Sequence, residues 1–456
     1  MGDTDIEEQI GQWRTFVARR EAITGADVTE LESHLRDQID GLAASGLSTD
    51  EAFLVAVTRL GKLDDLSREF AREHSDRLWK QLVVGDDESA APRRTGLGLA
   101  FALACAAGVA VKVPALFGIT IGGDPAFYGL NLAVIILPFL AAFFLVRRRA
   151  RIGTIVAVAA PFAAAAVLLN VYPFTMGGST IGLAALHAAV ALWLVTGIAY
   201  VAGAWRSERA RMDFIRFTGE WFIYLVLIAL GGGVLAALTM GVFGSIGLDA
   251  ATFVQEWLIP CGLAGAVVIA GWLVEAKQSV IENIAPVLTR LFTPLFTLLL
   301  LALIVAGLIQ GGSADGAGIV VFGQRDLLII FDLVLVVVLA LLLYSLSARE
   351  PLQAPGWFDR LQVVLLVAAL VVDVLVLIGM ITRISEFGAS PNKLASLGLN
   401  VILLVNLAGA AWLQLRFVMH KAPFARVERW QTAYVPVYLA WATIVAVVFP
   451  PAFGFV

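Results

Sequence analysis

The pattern of apolar and polar positions changes at about residue 95. Before that point, apolar residues recur at helical spacing among many charges. After it, long apolar stretches follow one another almost to the last residue. A run of about 20 apolar residues matches the hydrocarbon thickness of a bilayer, whereas a water-soluble core could not enclose so many of them. The pattern predicts an all-α chain, with a small cytosolic helical bundle followed by a polytopic α-helical transmembrane domain.

The predicted transmembrane domain covers residues 96–456 and contains about eleven spans. Charged residues make up only 15% of the chain, against about 25% in a typical globular domain, so lipid is the expected solvent for this part. Prolines inside the stretches are compatible with spanning helices, because neighbouring groups can satisfy the carbonyls that they free. The stretches centre near residues 106, 137, 162, 192, 230, 264, 302, 335, 370, 406 and 442.

Residues 1–82 carry apolar stripes at the spacing of amphipathic helices, which predicts a compact helical bundle. Ser48 and Glu51 have the spacing of a capping box, in which each side chain satisfies a free amide at a helix start. The acidic run and Pro92 in residues 83–95 predict a flexible linker. The stripes are Ile6, Ile10, Trp13 and Val17; Val28, Leu31, Leu35, Ile39 and Leu42; and Phe53, Ala56, Val57 and Leu60, with a fourth helix predicted from Leu63 to Leu82.

Charge divides unevenly between the two parts of the chain. Residues 1–88 are strongly acidic and the remainder is net basic, although the whole chain has a formal charge of −4. Nucleic-acid binding requires a basic stripe, so an acidic head on a basic membrane part argues against that class of partner. The partners that this pattern predicts are the lipid bilayer and a cytosolic protein.

The arginines and lysines outside the apolar stretches predict an orientation. They concentrate in alternate connecting loops, and the loops between carry far fewer of them. By the positive-inside rule the rich loops and the N-terminus lie in the cytoplasm, with the bacterial inner membrane as the expected location. The rich loops hold Arg93 and Arg94; Arg147, Arg148, Arg149 and Arg151; Arg206, Arg209, Arg211 and Arg216; Lys277 and Arg290; Arg349 and Arg360; and Arg416, Lys421, Arg426 and Arg429.

The acidic prefix carries a pattern that can be written EL..HL.D, GLS..EA and A...LG, at residues 30–37, 46–52 and 56–61. It resembles the bacterial permease prefix domain, close to the HAAS domain. The resemblance implies a protein-interaction module, with a PadR-like regulator or a transporter subunit as its partner. The candidate interaction surface is Glu30, His34 and Asp37. A surface or capping role for His34 is the alternative, because no neighbouring group needs proton transfer from this imidazole.

Two carboxylates lie at membrane depth. Asp332 is about two turns into the eighth stretch, and Asp373 is at comparable depth in the ninth, which runs the other way. Arg325 precedes Asp332 by seven residues and so shares its helix face. Burying an ionisable group in lipid costs about 2.5–3.5 kcal/mol on insertion scales, so the presence of each carboxylate in a span calls for an explanation. Either the pair lines a proton, ion or substrate route, or it fastens helices together through arginine or amide partners.

Further polar residues within the stretches are His187, Asn170, Asn400, Asn406 and Gln414.

The connection after the ninth stretch forms a charge cluster on an otherwise nearly uncharged outer face. It contains Arg383, Glu386 and Lys393, with Gly388 for a tight bend and Pro391 to open the next helix. The segment resembles the R…YG.T..R signature of DUF4153, a bacterial membrane family of unknown function. In this chain phenylalanine, serine and lysine replace the tyrosine, threonine and second arginine. The resemblance implies a membrane architecture and carries no catalytic role. A plain helix connector with a local salt bridge is the alternative.

No motif for a nucleotide, a metal or a catalytic nucleophile occurs in the chain. Cys105 and Cys261 lie in separate apolar stretches and the four histidines are scattered, so we predict neither a cofactor nor a metal site. An enzyme is the least expected class. The first functional hypothesis is a membrane sensor, scaffold or regulatory component whose prefix engages a cytosolic protein. The second is an ion- or proton-coupled secondary transporter that uses the intramembrane aspartates.

Overall fold

The computed structural model of the chain describes residues 6, 7, 9–11, 13, 25–45, 47–60, 95–245, 248–276, 284–311, 325–349 and 353–456. All regular elements in these residues are helices, so the predicted all-α class is confirmed. The chain divides into two compact units, Met1–Ala90 and Ala91–Val456. The predicted fourth prefix helix lies outside the described residues, as does the predicted linker up to Thr95.

The prefix unit contains helices α1 (Gly25–Ala44) and α2 (Thr49–Leu60), with further helical residues between positions 6 and 13. The predicted stripes are confirmed where their side chains are described, because they form one buried core around Trp13, Leu35 and Phe53. The capping box at the start of α2 is also confirmed. The backbone amide of Ser48 donates to Glu51 Oε2 at 3.0 Å, and the amide of Glu51 donates back to Ser48 Oγ at 3.4 Å.

The second unit contains eleven helices that are long and apolar enough to cross a membrane within the described part of the chain, and each predicted centre falls in one of them. The chain is therefore a polytopic helical membrane protein. The helices are α3 (Thr95–Lys112), α4 (Pro125–Arg147), α5 (Ile152–Val171), α6 (Ser179–Tyr200), α7 (Glu208–Ser245), α8 (Ile259–Ala276), α9 (Ile284–Gly311), α10 (Arg325–Ala348), α11 (Trp357–Phe387), α12 (Pro391–Val418) and α13 (Ala425–Thr443).

Large apolar side chains cover the outside of this unit. Val109, Leu186, Leu230 and Leu333 are among many that are exposed along the helices. Soluble proteins do not present continuous apolar surfaces of this extent, because water would have to order around them. In lipid the same surface carries no penalty, which explains why most of these helices are apolar all round.

Two large apolar cores, beside two smaller ones, organise the membrane unit. The first lies among α3 to α8 and contains Phe144, whose ring centroid is 5.2 Å from those of both Tyr200 and Phe217. The second lies among α9 to α13 and is built mostly from leucine and valine of α10, α11 and α12. Helix α13 also packs against α6 and α7. The polar groups considered below are embedded in the second core.

Two short π-helical segments, Val254–Leu258 and Ile444–Val448, precede prolines. A proline has no amide hydrogen, so the carbonyl four residues before it loses its ordinary helical donor. A distant side chain satisfies that carbonyl in both places. Lys112 Nζ donates to the carbonyl of Glu256, four residues before Pro260. The hydroxyl of Tyr172 donates to the carbonyl of Val447, four residues before Pro451, at 3.0 Å.

Candidate functional site

Three consecutive helices, α10, α11 and α12, each bring one polar side chain to the same level of the second core. These are Asp332 from α10, Asp373 from α11 and Asn400 from α12, called the carboxylate layer below. Because α10 and α12 run in one direction and α11 in the other, residues two to three turns into α10 and α12 lie beside the second half of α11. Within the described residues, this is where the two aspartates predicted from the sequence come together.

Asp332 has a hydrogen-bond donor in this layer. Its Oδ1 accepts from Asn400 Nδ2 at 2.8 Å. The same amide nitrogen of Asn400 lies 3.5 Å from Met380 Sδ of α11. Asn400 therefore touches both neighbouring helices and orients the Asp332 carboxylate between them.

Asp373 is in a different environment. It is fully buried, and neither of its carboxylate oxygens has a hydrogen-bond partner among the described residues. Its helix packs against both α10 and α12. Within the described residues, one carboxyl of the pair thus has a donor and the other has none.

The sequence of α11 explains why Asp373 cannot reach water by turning outward. Counting by helical turns, its neighbours on the same face are Leu366, Ala369, Val376 and Met380. All four are buried in the second core. Helix packing thus places this carboxyl in the core in the same way that it places the leucines.

A second polar layer lies toward the arginine-rich ends of the same three helices. It consists of Ser345 of α10, Gln362 of α11 and Gln414 of α12, called the amide layer below. Gln414 Nε2 donates to Gln362 Oε1 at 3.0 Å, and Gln362 Nε2 donates to Ser345 Oγ. All three side chains are buried. Of this layer, only Gln414 stands out in the sequence, as a polar residue within an apolar stretch; an isolated Ser or Gln near a helix end gives no signal of its own.

An ion pair joins the end of α10 to the start of α11. Arg349 Nε lies 2.9 Å from Asp359 Oδ1, and Asp359 Oδ2 accepts from the backbone amide of Gly356 at 2.7 Å. The guanidinium also lies over the rings of Phe417 and Phe424, 4.7 and 4.6 Å from their centroids. An acid in the first turn of one helix and a cation after the last turn of another both complement the helix dipoles.

A cavity of about 390 Å³ opens beside this ion pair. Its size is within the range of small-molecule sites, and it has room for several waters. Two members of the amide layer, Ser345 and Gln362, line it, so the cavity reaches the buried polar groups from the helix ends. The other lining residues are Thr289, Arg290, Ala348, Arg349, Gln353, Ala354, Gly356, Trp357, Phe358 and Asp359.

Other amide side chains in the membrane unit fasten one helix to another. Asn406 Nδ2 donates to Gln431 Oε1 at 3.1 Å and joins α12 to α13. Asn131 and Asn170 exchange two hydrogen bonds, of 3.0 and 2.7 Å, between α4 and α5. His187 Nδ1 lies 2.9 Å from the carbonyl of Leu183 in its own helix. These pairs show how this fold joins helices with polar groups, and Asp373 does not follow that pattern.

The charge cluster predicted in the outer connection is arranged around Phe387. Lys393 Nζ donates to the carbonyls of Gly388 and Arg383, at 2.7 and 3.4 Å, and lies 5.7 Å from the Phe387 ring centroid. Gly388 has a φ of +73°, and Pro391 opens α12, so the predicted bend and helix start are confirmed. Glu386 is exposed. The segment is a well-capped helix connection.

The remaining candidate residues are not joined to the carboxylate layer by any described contact. The side chain of Arg325 lies outside the described side chains, as does that of Glu30. His34 and Asp37 are exposed on α1 of the prefix unit. In the described part of the chain, no group of three His, Cys, Asp or Glu residues is placed to hold a metal ion.

No protein-family model, curated protein or solved structure matches the chain. The resemblances to the permease prefix domain and to DUF4153 therefore stay predictions. The geometry of α10, α11 and α12 is the basis for inferring a function.

Proposed function

We propose that the protein is a proton-coupled secondary transporter of the bacterial inner membrane, with its N-terminus in the cytoplasm. In this proposal Asp373 takes up and releases the proton, while Asp332 and Asn400 complete the site. One observation supports it above the others: a fully buried carboxyl inside a membrane helix has no hydrogen-bond partner among the described residues. Such a group is uncommon, and it most often marks an ion or proton pathway.

The chemistry follows from the cost of burying charge. An isolated ionised carboxylate in apolar surroundings is so unfavourable that the group takes up a proton instead. Asp373 in its sealed position is therefore neutral, whereas Asp332, with the Asn400 amide donating to it, can hold the negative charge. If the helices move and admit water to Asp373, its proton can leave. This links protonation to conformation, as proton-coupled transport requires.

The competing role, a fastener between helices, fits Asp373 poorly. A fastener gains its stabilisation from a partner, as Asn406 does from Gln431 and Asn131 does from Asn170. Asp373 has no such hydrogen bond within the described structure. Replacing it with an apolar residue of similar size is therefore expected to stabilise the fold, and its presence calls for a functional reason.

A hydrophobic carbodiimide tests the protonation of Asp373, because it reacts with protonated carboxyls in apolar surroundings. The purified protein is treated over a range of pH and the modified residues are identified by mass spectrometry. We expect Asp373 to be labelled, with less labelling at alkaline pH, while Asp359 stays unlabelled because Arg349 pairs with it. Absence of labelling at Asp373 at every pH would contradict the proposal.

Transport is tested in everted membrane vesicles that hold an imposed pH gradient, reported by a quenched acridine dye. Solutes of several chemical classes are added, and dequenching reports proton movement coupled to a solute. A response in wild type that is lost in Asp373→Asn and kept in Asp124→Asn supports the proposal; Asp124 is an exposed loop residue. A response that Asp373→Asn retains contradicts it. Labelling without a response to any solute would favour the sensor hypothesis below.

The prefix unit supports a second function. It has an apolar core of its own, and its α1 presents His34 and Asp37 to solvent. A self-contained acidic unit of this kind suits the docking of a cytosolic protein, either a PadR-like regulator or a transporter subunit. Cross-linking in whole cells, followed by purification of the full chain, should recover that protein from wild type and less of it from a His34→Ala, Asp37→Ala variant. Equal recovery from both would exclude this surface.

A further inference from the structure

We infer that the cavity beside Arg349 is the cytosolic vestibule of the carboxylate layer, and that the amide layer is its inner end. Protons then travel through water as far as Gln362 and Ser345, and an apolar layer separates that point from Asp373. The inference rests on the proposed function and adds to it a route and a barrier. The proton site at Asp373 does not require the cavity, so this route can fail while the proposed function stands.

The two polar layers have the same construction. Each takes one side chain from α10, one from α11 and one from α12. Gln362 and Asp373 are eleven residues apart, which returns to nearly the same helix face after about 16 Å along the axis. Asn400 and Gln414 of α12 are close to four turns apart, so they also lie near one face of their helix. A rearrangement that opens these three helices would therefore connect one layer to the other.

Both layers contain oxygens that lack a donor. Asn400 Oδ1 and Gln414 Oε1 are buried acceptors without a hydrogen-bond partner among the described residues, although both side chains are completely enclosed. A buried acceptor without a donor costs about 1–3 kcal/mol. Water and hydronium are the ligands that supply such donors. Unsatisfied acceptors thus occur in both layers that the proposed route would join, and a third, Asn406 Oδ1, belongs to a residue of α12 between Asn400 and Gln414.

The barrier consists of apolar side chains of the second core. Leu366 and Ala369 of α11 lie between the polar layers, and Leu403 and Leu407 of α12 lie between Asn400 and Gln414. All four are fully buried. Because this layer offers no hydrogen bond to a proton, it keeps the vestibule closed from Asp373 in this conformation. Transport then requires the layer to separate, which makes it the gate of the proposed route.

Thiol accessibility tests the vestibule without any transport assay. Cys105 and Cys261 are first replaced with serine, and single cysteines are then introduced as Ser345→Cys, Gln362→Cys or Ala369→Cys. The reagent is an anionic, membrane-impermeant methanethiosulfonate, which suits an arginine-lined mouth. We expect Ser345→Cys and Gln362→Cys to lose their free thiol when the cytosolic face is exposed, and to keep it when the other face is exposed. Ala369→Cys should react from neither face.

Each other outcome overturns the inference. If both vestibule cysteines stay unmodified from the cytosolic face but react after denaturation, the cavity does not admit water from that side. If they react from the opposite face, the vestibule is not cytosolic. If Ala369→Cys reacts as fast as they do, the apolar layer is no barrier. If the carbodiimide labels Asp373 but the vestibule cysteines stay unmodified, the proposed proton site stands and only this route is ruled out. Monodispersity of each variant in detergent excludes misfolding.

Discussion

Arg349 and Asp359 form an ion pair that is nearly enclosed by protein, with only 11% and 8% of the two side chains exposed. The pair joins the end of α10 to the start of α11 and lies at the wall of the vestibule. Both residues also make further contacts. Arg349 Nη2 donates to the carbonyl of Gln353 at 2.9 Å, and Asp359 also caps α11 through the amide of Gly356. The vestibule wall is thus a fixed structure.

Removing the arginine is expected to destabilise the fold strongly. Arg349→Met leaves Asp359 as an uncompensated buried charge, a change that typically costs about 3–5 kcal/mol. A double variant, Arg349→Met with Asp359→Asn, should recover part of this loss, because the amide carries no charge and can still cap α11. The free energy of unfolding, measured by denaturant titration in mixed micelles, checks both values. Equal losses in the single and double variants would mean that the charge is not the cause.

The exposed ion pair between Arg429 and Glu208 is the matched control. Its side chains are 69% and 49% exposed, although its Nε to Oε2 distance of 3.1 Å is similar. Surface pairs contribute about 0–1 kcal/mol, because water screens the charges and the long side chains lose freedom. Arg429→Met should therefore change the free energy of unfolding very little. A loss as large as that of Arg349→Met would show that burial does not decide the strength of these pairs.

The carboxylate layer predicts a coupling between two helices. Asn400→Leu removes the amide that donates to Asp332, and such a loss costs about 1–3 kcal/mol. In an Asp332→Leu background the same substitution should cost less, because no carboxylate is left without its donor. A double-mutant cycle on the free energy of unfolding measures the difference. Val401→Leu, on the exposed neighbouring position, serves as the control. Additive losses would contradict a direct Asn400–Asp332 interaction.

The number and place of the spans could be predicted from sequence, because each needs about 20 apolar residues and the chain offers them at clear intervals. The buried face of each helix could not be predicted. A helix that is apolar all round gives no periodic signal, so α10 and α11 show no polar stripe that separates lipid from core. Asp332 and Asp373 stood out because a charge inside an apolar stretch is rare whatever face it occupies.

The partners of those residues were harder to predict. Asn400 and Gln414 are visible in the sequence as polar groups in a span, but Gln362 and Ser345 lie near helix ends, where polar residues are ordinary. Pairing is a property of helix packing across long sequence separations, such as the 52 residues between Gln362 and Gln414. By contrast, the connection at Gly388 and Pro391 was predictable because glycine and proline act locally.

Close packing of α12 against α13 predicts a sensitive glycine. A Cβ at Gly409 would lie 2.7 Å from Trp430 Nε1, which is held in place by its 3.0 Å hydrogen bond to the carbonyl of Asn406. Gly409→Ala should therefore lower the free energy of unfolding by about 1–3 kcal/mol, the usual effect of overpacking a core. At Gly231 no atom lies within 4 Å of an added Cβ, so Gly231→Ala should leave stability unchanged or slightly raised. A neutral Gly409→Ala would contradict this packing.

The capping box of the prefix unit predicts a pH dependence. The hydroxyl and then the backbone amide of Ser48 hydrogen-bond to Glu51 and hold the pKa of that carboxyl below its ordinary value of 4.5. A carboxyl whose pKa is lower in the folded state stabilises the fold fully above its unfolded pKa. That contribution is lost as the pH falls through the lower, folded value. Acidification below about 4.5 should thus loosen the start of α2.

Hydrogen exchange of the full chain measures this loosening. Protection of residues 49–60, corrected for the pH dependence of intrinsic exchange, should fall on acidification in wild type. Glu51→Gln removes the titrating group and should give a flatter profile over the same range. Ser48→Ala removes one donor to the carboxylate and should reduce the pH dependence in part. An unchanged profile in Glu51→Gln would assign the effect to another carboxyl.

The carbonyl that Pro260 leaves without its helical donor gives a last prediction. Lys112 Nζ donates to that carbonyl, which belongs to Glu256, and lies 4.4 Å from the ring centroid of Trp257. Lys112→Met keeps the length of the side chain and removes both interactions, so the free energy of unfolding should fall by about 1–3 kcal/mol. In a Pro260→Ala background, the restored backbone amide can satisfy the carbonyl of Glu256, and the same substitution should cost less. Lys421→Met, at an exposed position after α12, controls for the loss of a lysine. Equal losses in both backgrounds would mean that the proline does not create the need for Lys112.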